Sequence, residues 1–465
     1  MRLALGFWLA DRPLRIADEL DYQTLALSIV ENGEYSLDGR TPTSLRPPLY
    51  PAAVAGVYAV FGSENRYAVW GLQALLSLGT VVLVYRLGSE LFSPRAGLWA
   101  AGLTCFYPSW LGYTYLLLSE TLFTFLLCGA CLAFVLGLRR GLLGAAACCG
   151  LLFAVAALTR SVVWLFPPVL GAFMLLAWPG NFGRRLAAAA LMGAAFAVTL
   201  APWTIRNTRL QQTLTTVDVM GGRNFMMGNY EHTPLFRAWD AISIGNNAKD
   251  EEKRWINVLH SESPWPAGTT QGQLDKLALR AGLRFVADHP GLTAERDAIK
   301  LLNFWQLERE LIAGAAAGFF GVLSKPAILA IAAAICMSYA AAMFTGIFGA
   351  LLVPPANWRA NWFLLLLIAY VCGMHALTFG HSRYHLPLMP LVLLYSGAAV
   401  VRAADIWRQR RSPRFIIASL LCAGLAASWV FEIAVVDSQR VKDAVTVGRT
   451  ESNLRFGVAR ELSAL

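Results

Sequence analysis

The chain reads as an all-α polytopic membrane protein, and three observations point there. Of its 465 residues 57% are hydrophobic and 15% charged, whereas a soluble domain carries about a quarter charged residues. Apolar stretches long enough to cross a bilayer recur from residue 68 to residue 435. The basic residues between them fall on alternate connections.

Taking runs of about 17–25 apolar residues as spans, we place them near 68–85, 97–115, 120–138, 141–159, 162–178, 186–202, 326–353, 361–379, 385–402 and 415–435. A short apolar start, Leu3 to Ala10, adds a truncated first span, for about 11 in all. Arg86 and Arg95, Arg139 and Arg140, Arg184 and Arg185, Arg359, and the group Arg402, Arg408, Arg410, Arg411 and Arg414 then lie on one side. By the positive-inside rule that side is the cytoplasm of a bacterial inner membrane. The net charge of +10 comes mostly from these loops, so nucleic acid is not an expected partner.

The opposite, periplasmic face receives residues 11–66, Ser119 and Glu120, Arg160, the loop 203–325, the turn 380–384 and the tail from Asp437. We therefore expect one membrane domain over 1–435, with outer loops at 11–66 and 203–325, and a short outer tail at 436–465. Helices are expected in the outer loops at Asp18–Asn32, ending at Gly33, and at Pro51–Phe61, ending at Gly62. A further pair, Gln273–Ala287 and Thr293–Arg309, is separated by His289-Pro290-Gly291. The eight cysteines fall inside predicted spans, and the Cys128–Cys131 pair is read as packing rather than a metal site.

Chemistry is expected at the outer face. Asp18, Glu19 and Asp21 open the first loop helix; the structural alternative is a helix cap. Arg46-Pro47-Pro48 holds a cation on a stiff turn, and a fixed guanidinium suits a phosphate. Glu120 follows Ser119 at the start of a span. Arg160 and Arg206 end spans, where cations are favoured for structural reasons alone. Gly221-Gly222-Arg223-Asn224 and Gly228-Asn229-Tyr230 could bring backbone amides to a ligand. His381-Ser382-Arg383-Tyr384-His385 offers two histidines and an arginine without the acid spacing of a metal site. These charges gather at one face and spare the span centres, unlike a transporter with polar groups at the midplane.

At these residues the chain resembles the GT-C fold membrane glycosyltransferases, in particular the lipid A aminoarabinose transferases and protein O-mannosyltransferases. The elements are Asp18-Glu19-x-x-Tyr22, Arg46-Pro47-Pro48-Leu49-Tyr50-Pro51, Leu118-Ser119-Glu120-Thr121-Leu122-Phe123, Pro202-Trp203-Thr204-Ile205-Arg206-Asn207, Gly228-Asn229 and Arg383-Tyr384-His385-Leu386-Pro387. The resemblance implies a GT-C-type bundle that transfers a sugar from a polyprenyl-phosphate carrier to a lipid, glycan or protein acceptor. It makes Asp18 the catalytic carboxylate, with Glu19 beside it, and gives Arg46 the carrier phosphate. Tyr22, Glu120, Arg206, Arg223, Arg383 and Tyr384 complete the expected substrate-binding set.

A phosphate leaving group needs no protonation, so one base and several cations suffice. A helix N-terminus depresses the pKa of Asp18, and neighbouring acids push it back. No metal is required by the resemblance, although Glu19 and Asp21 could hold Mg or Mn. The second reading is a transporter or flippase for lipid-linked glycans, and the third a polymerase using a diphosphate-linked glycan.

Overall fold

The computed structural model describes residues 14, 16–241, 257, 259, 268–321 and 323–438. The apolar start and the tail beyond residue 438 lie outside the described residues, as does part of the 203–325 loop. Among the described residues the backbone is helical apart from turns and one isolated bridge between Ser36 and Pro42. The all-α polytopic expectation is borne out: seven helical segments are long and apolar enough to cross a membrane.

The first loop folds as expected. Helix α1 (Ala17–Asn32) stops at Gly33, whose amide donates to the Ile29 carbonyl and whose φ of 70° turns the Glu34 amide back onto that of Ser28. Helix α2 (Leu49–Phe61) starts directly after the two prolines and stops at Gly62. Then come α3 (Arg66–Leu91), α4 (Pro94–Cys105) and α5 (Pro108–Tyr113). The predicted 97–115 span is thus broken, because Tyr107 is extended before Pro108.

Helix α6 (Glu120–Arg140) is the central span, apolar from Thr121 to Leu138 and buried on most sides. It is followed by α7 (Leu143–Ala157), α8 (Phe166–Ala177) and α9 (Phe182–Gln211). The first two are shorter than the spans predicted at 141–159 and 162–178, since the chain turns extended at Arg160. Gly150 lets α7 close onto α9, because a Cβ there would strike the Met192 carbonyl.

In the large loop, α10 (Gly221–Gly228) packs on α11 (Gln271–Asp288), and α12 (Pro290–Phe304) follows the break at His289. Helix α12 ends earlier than predicted, with the Trp305 amide donating to the Leu302 carbonyl and the Gln306 amide to that of Asn303. Its polar residues Arg296, Lys300 and Asn303 are buried, whereas Leu301 and Leu302 are exposed. Then follow α13 (Glu310–Ala316) and the spans α14 (Lys325–Leu352) and α15 (Trp358–Leu377). A 3₁₀ turn (Ser382–Leu388) leads into α16 (Met389–Val401), and after α17 (Ala403–Arg408) comes the last span, α18 (Pro413–Phe431).

Large apolar side chains such as Leu75, Val82, Leu176, Val198, Leu420 and Val430 remain exposed on the spans. That is what a hydrocarbon surround requires of helices whose backbone bonds are already internal.

Candidate active site

Helix α6 separates two chemistries. Its first residue, Glu120, is buried among charges, and its last turn carries Arg139 and Arg140. Arg184 donates to the Gly141 carbonyl, which brings the next basic loop to that same lower end. The charged site is therefore at the opposite end of the bundle from these basic loops.

Arg46 is fixed from behind by its own backbone. The Tyr35 hydroxyl donates to the carbonyls of Arg46 and Pro47, and the Leu49 amide donates to Leu158. Its side chain then grips two acids of α1: Nη2 lies 2.7 Å from Asp18 Oδ1 and 2.7 Å from Asp21 Oδ2, which also accepts from Nε at 3.0 Å. The other oxygen of Asp18 meets Arg383 Nη1 at 3.1 Å. Arg383 Nε donates to Glu120 Oε1 at 2.7 Å, and Arg160 Nη1 reaches the same oxygen at 3.0 Å. Three acids and three arginines thus form one network from residues far apart in sequence.

Glu120 is 1% exposed, so it needs both cations, whereas the side chains of Asp18 and Arg46 keep 26% and 21% of their surface. Two aromatic side chains border the network. The Tyr22 hydroxyl lies 3.3 Å from Ser119 Oγ with Arg46 over its ring. Tyr384 stacks on His375 and lies under Arg160.

The two acids on Arg46 are electrostatically unequal. Burial opposes ionisation of Asp18, but Arg46, Arg383 and Arg160 outweigh it and hold the carboxyl well below the usual carboxylate range. Burial pushes Asp21 up, and Arg46 offsets it only in part. The helix terminus and the neighbouring acids, which oppose each other in the sequence, are both outweighed by the arginines.

Glu19 is a correction. Its carboxylate, 4% exposed, accepts from the amides of Ile16 and Leu117 and points away from the network. It ties the start of α1 to the segment preceding α6, so the catalytic expectation for Glu19 gives way to a structural one. Asp21, the other acid named for a divalent ion, accepts from Arg46. No group of three His, Cys, Asp or Glu side chains suited to a metal occurs among the described residues.

Arg206 and Arg223 also stand apart. Arg206 lies over Trp203 and Tyr35 and donates to the Thr43 carbonyl and Asn207, bracing the 35–44 loop. The Arg223 amide bonds Asp275 on α11. The glycines nearby serve close packing rather than ligand contact: Gly222 abuts the Asp275 carbonyl and Gly228 the Thr378 carbonyl. Neither arginine has a contact with Asp18, Arg46 or Glu120.

Sequence reasoning undervalued Arg160, read as a helix-end cation, and missed a second cluster on the same turn as Arg383. The Arg383 amide donates to His381 Nδ1, so neutral His381 carries its proton on Nε2, 3.0 Å from Glu310 Oε1. Burial and nearby arginines lower His381 to about 4 despite Glu310, so it is neutral at pH 7. Ser382 also donates to Glu310. Further along, Arg309 pairs with Glu432 and Asp437, and Arg237 with Asp437. The signal was in the sequence as acids 308 and 310 flanking Arg309, but their partners come from Tyr107 just before α5, the 381–385 turn and the residues that follow α18.

With this geometry in hand, the comparisons can be placed. Residues 45–205 match the family model described as dolichyl-phosphate-mannose-protein mannosyltransferase. That segment holds Arg46, Glu120 and Arg160. The match agrees with the resemblance drawn from the motifs and covers about a third of the chain. Among curated proteins none matches.

Among solved structures, the archaeal oligosaccharyltransferase AglB from Archaeoglobus fulgidus, in complex with an inhibitory peptide and a dolichol-phosphate, is similar at 15% identity, with a TM-score of 0.47. The alignment covers 92% of this chain and 54% of that one, so this chain spans about half its length. ArnT from Cupriavidus metallidurans in the apo state is similar at 16% identity, over 88% of this chain and 78% of that one, with a TM-score of 0.41.

Proposed function

We propose that this chain is a GT-C-type glycosyltransferase that moves a sugar from a polyprenyl-phosphate carrier to a lipid, glycan or protein acceptor. The observation that carries the reading is the network in which Asp18 is shared by Arg46 and Arg383 at one end of an apolar bundle. The family match supports it, since the model's description names a dolichyl-phosphate sugar and its range contains three of the six charged residues. The flippase alternative lacks support: α6 carries no Asp, Glu, Lys or Arg between Glu120 and Arg139, and α14 none after Lys325.

The chemistry follows from the charges. A carrier phosphate competes with Asp18 and Asp21 for the guanidinium groups of Arg46 and Arg383, which present planar forks of donors. When they turn to the phosphate, Asp18 loses the cations that depress its pKa while the burial that raises it remains. Binding the donor thus readies Asp18 to take a proton from the acceptor hydroxyl. That oxygen attacks the anomeric carbon, and the bond to the carrier phosphate breaks with inversion. The arginines neutralise the departing phosphate. Glu120 stays between Arg383 and Arg160, keeping Arg383 aimed at the site. By the positive-inside bias the site faces the periplasm of a bacterial inner membrane.

The test is transfer from polyprenyl-phosphate sugars, without and with added divalent ions, by the reconstituted protein. Sugar transfer lost in Asp18→Asn and Arg46→Ala supports the reading. ATP-free movement of a lipid-linked glycan across the bilayer with no transfer product overturns it.

A further inference from the structure

Beside Arg383 a narrow cleft opens, lined by Tyr113, Glu308, Leu311 and Ser382 as well as by Arg383 itself. We infer that this cleft is the subsite for the sugar of the donor, with Tyr113 and Glu308 recognising one of its hydroxyl groups. The inference rests on the transferase reading above and adds to it the place and the partners of the sugar.

Two buried polar atoms of the lining have no hydrogen-bond partner among the described residues: the Tyr113 hydroxyl and Glu308 Oε2. These side chains belong to residues only 3% and 5% exposed. Orphaned buried polar atoms are costly, and these two share one cleft beside the charged network, where a ligand could satisfy both. They are also complementary, since Tyr113 offers a proton and Glu308 Oε2 a lone pair. A hydroxyl group, which donates once and accepts, satisfies both.

The rest of Glu308 is fully engaged, which fixes Oε2. Its Oε1 accepts from the Tyr107 hydroxyl at 2.7 Å and lies 3.0 Å from His385 Nε2. His385 Nδ1 lies 2.6 Å from the Phe304 carbonyl, an obligate acceptor, so Nδ1 carries a proton. The imidazole lies parallel to the rings of Tyr339 and Trp305, with centroids 4.8 Å and 5.8 Å away.

The location supplies the ligand class. Arg383 faces Asp18 and Glu120 on one side and lines the cleft on the other. A phosphate held by Arg383 and Arg46 puts the sugar bonded to it at the mouth of the cleft, which is closed to a water-sized group in the free protein, so its lining side chains must part to admit one hydroxyl of the ring. The cleft is too narrow for a whole ring, which suits recognition of one edge.

Tyr113→Phe is the decisive variant, because it removes one oxygen that bonds nothing in the free protein and leaves the fold intact. The probes are sugar-free polyprenyl phosphate and a panel of polyprenyl-phosphate hexoses and pentoses, bound to the protein in nanodiscs. Wild type should bind at least one sugar-bearing lipid more tightly than the bare one. Tyr113→Phe should weaken that lipid by roughly two- to tenfold, the value of one hydrogen bond, and leave the bare lipid unchanged. An unchanged preference in the variant, or equal weakening of both lipids, overturns the subsite while the transferase reading stands. A wild type that transfers sugar but shows no sugar-dependent affinity does the same. If wild type binds neither lipid and transfers nothing, the transferase reading falls and the subsite with it.

Discussion

The ion network around Asp18 and the buried cluster around Glu308, Glu310 and Arg309 meet at one turn, residues 381–385, yet they are built differently. In the first, Arg46 and Arg383 each hold two acids, and Asp18 and Arg46 stay partly exposed. Such charges can exchange a protein partner for a ligand phosphate. In the second, His381 and Ser382 are matched to Glu310, His385 and Tyr107 to Glu308, and Arg309 to Glu432 and Asp437. Its ion pairs clamp the end of the last span to the outer helices. The contrast separates charges able to meet a ligand from ion pairs that clamp helices, with the open oxygen of Glu308 as the one exception argued above.

Substitutions on the two sides should diverge accordingly. Arg383→Ala should cost transfer on the order of 10²–10³-fold, because it removes a cation from the departing phosphate. Its thermal unfolding in detergent should change far less, since Glu120 retains Arg160 and Asp18 retains Arg46. Arg309→Ala reverses the pattern: leaving Glu432 and Asp437 short of a cation should cost about 3–5 kcal/mol of stability. Its transfer per folded molecule should stay near that of wild type; a specific loss of turnover without loss of stability would merge the two clusters into one site.

Glu19→Gln sharpens the same line within a single helix turn. It should cost about 1–3 kcal/mol through the weakened amide bonds to Ile16 and Leu117, and spare transfer. The smallest effect concerns pH. Folding depresses the Asp18 pKa, so its contribution to stability is complete above the ordinary value of 3.8 and is lost as pH falls below it. Unfolding followed from pH 6 down to pH 3 should therefore fall more steeply in wild type than in Asp18→Asn.

Much of the fold was legible because hydrophobic run length and helix punctuation are local signals. Gly33 and Gly62 end their helices where the pattern placed them, and His289-Pro290 breaks the loop helix pair. Tyr107-Pro108 and Arg160 were harder, because an apolar run hides a break that only local backbone geometry reveals. In the site, Asp18, Arg46, Glu120 and Arg383 converge as their shared face implied. Glu19 is separated from Asp18 only by the helical turn, which sends adjacent side chains about 100° apart. Arg206 and Arg223 lie on the expected face but serve the loops. Glu308 and Glu310 were passed over because their histidine partners stand more than 70 residues away.

The account rests on Asp18 as the group that takes the acceptor proton, and one measurement addresses it directly. Sugar transfer from the polyprenyl-phosphate donor should be compared for wild type and Asp18→Asn in reconstituted membranes, with donor binding measured alongside. We expect Asp18→Asn to bind the donor at least as well as wild type, because a competitor for Arg46 and Arg383 has lost its charge, and to turn over roughly 10²–10⁴-fold more slowly. Near-normal turnover in Asp18→Asn would contradict the account.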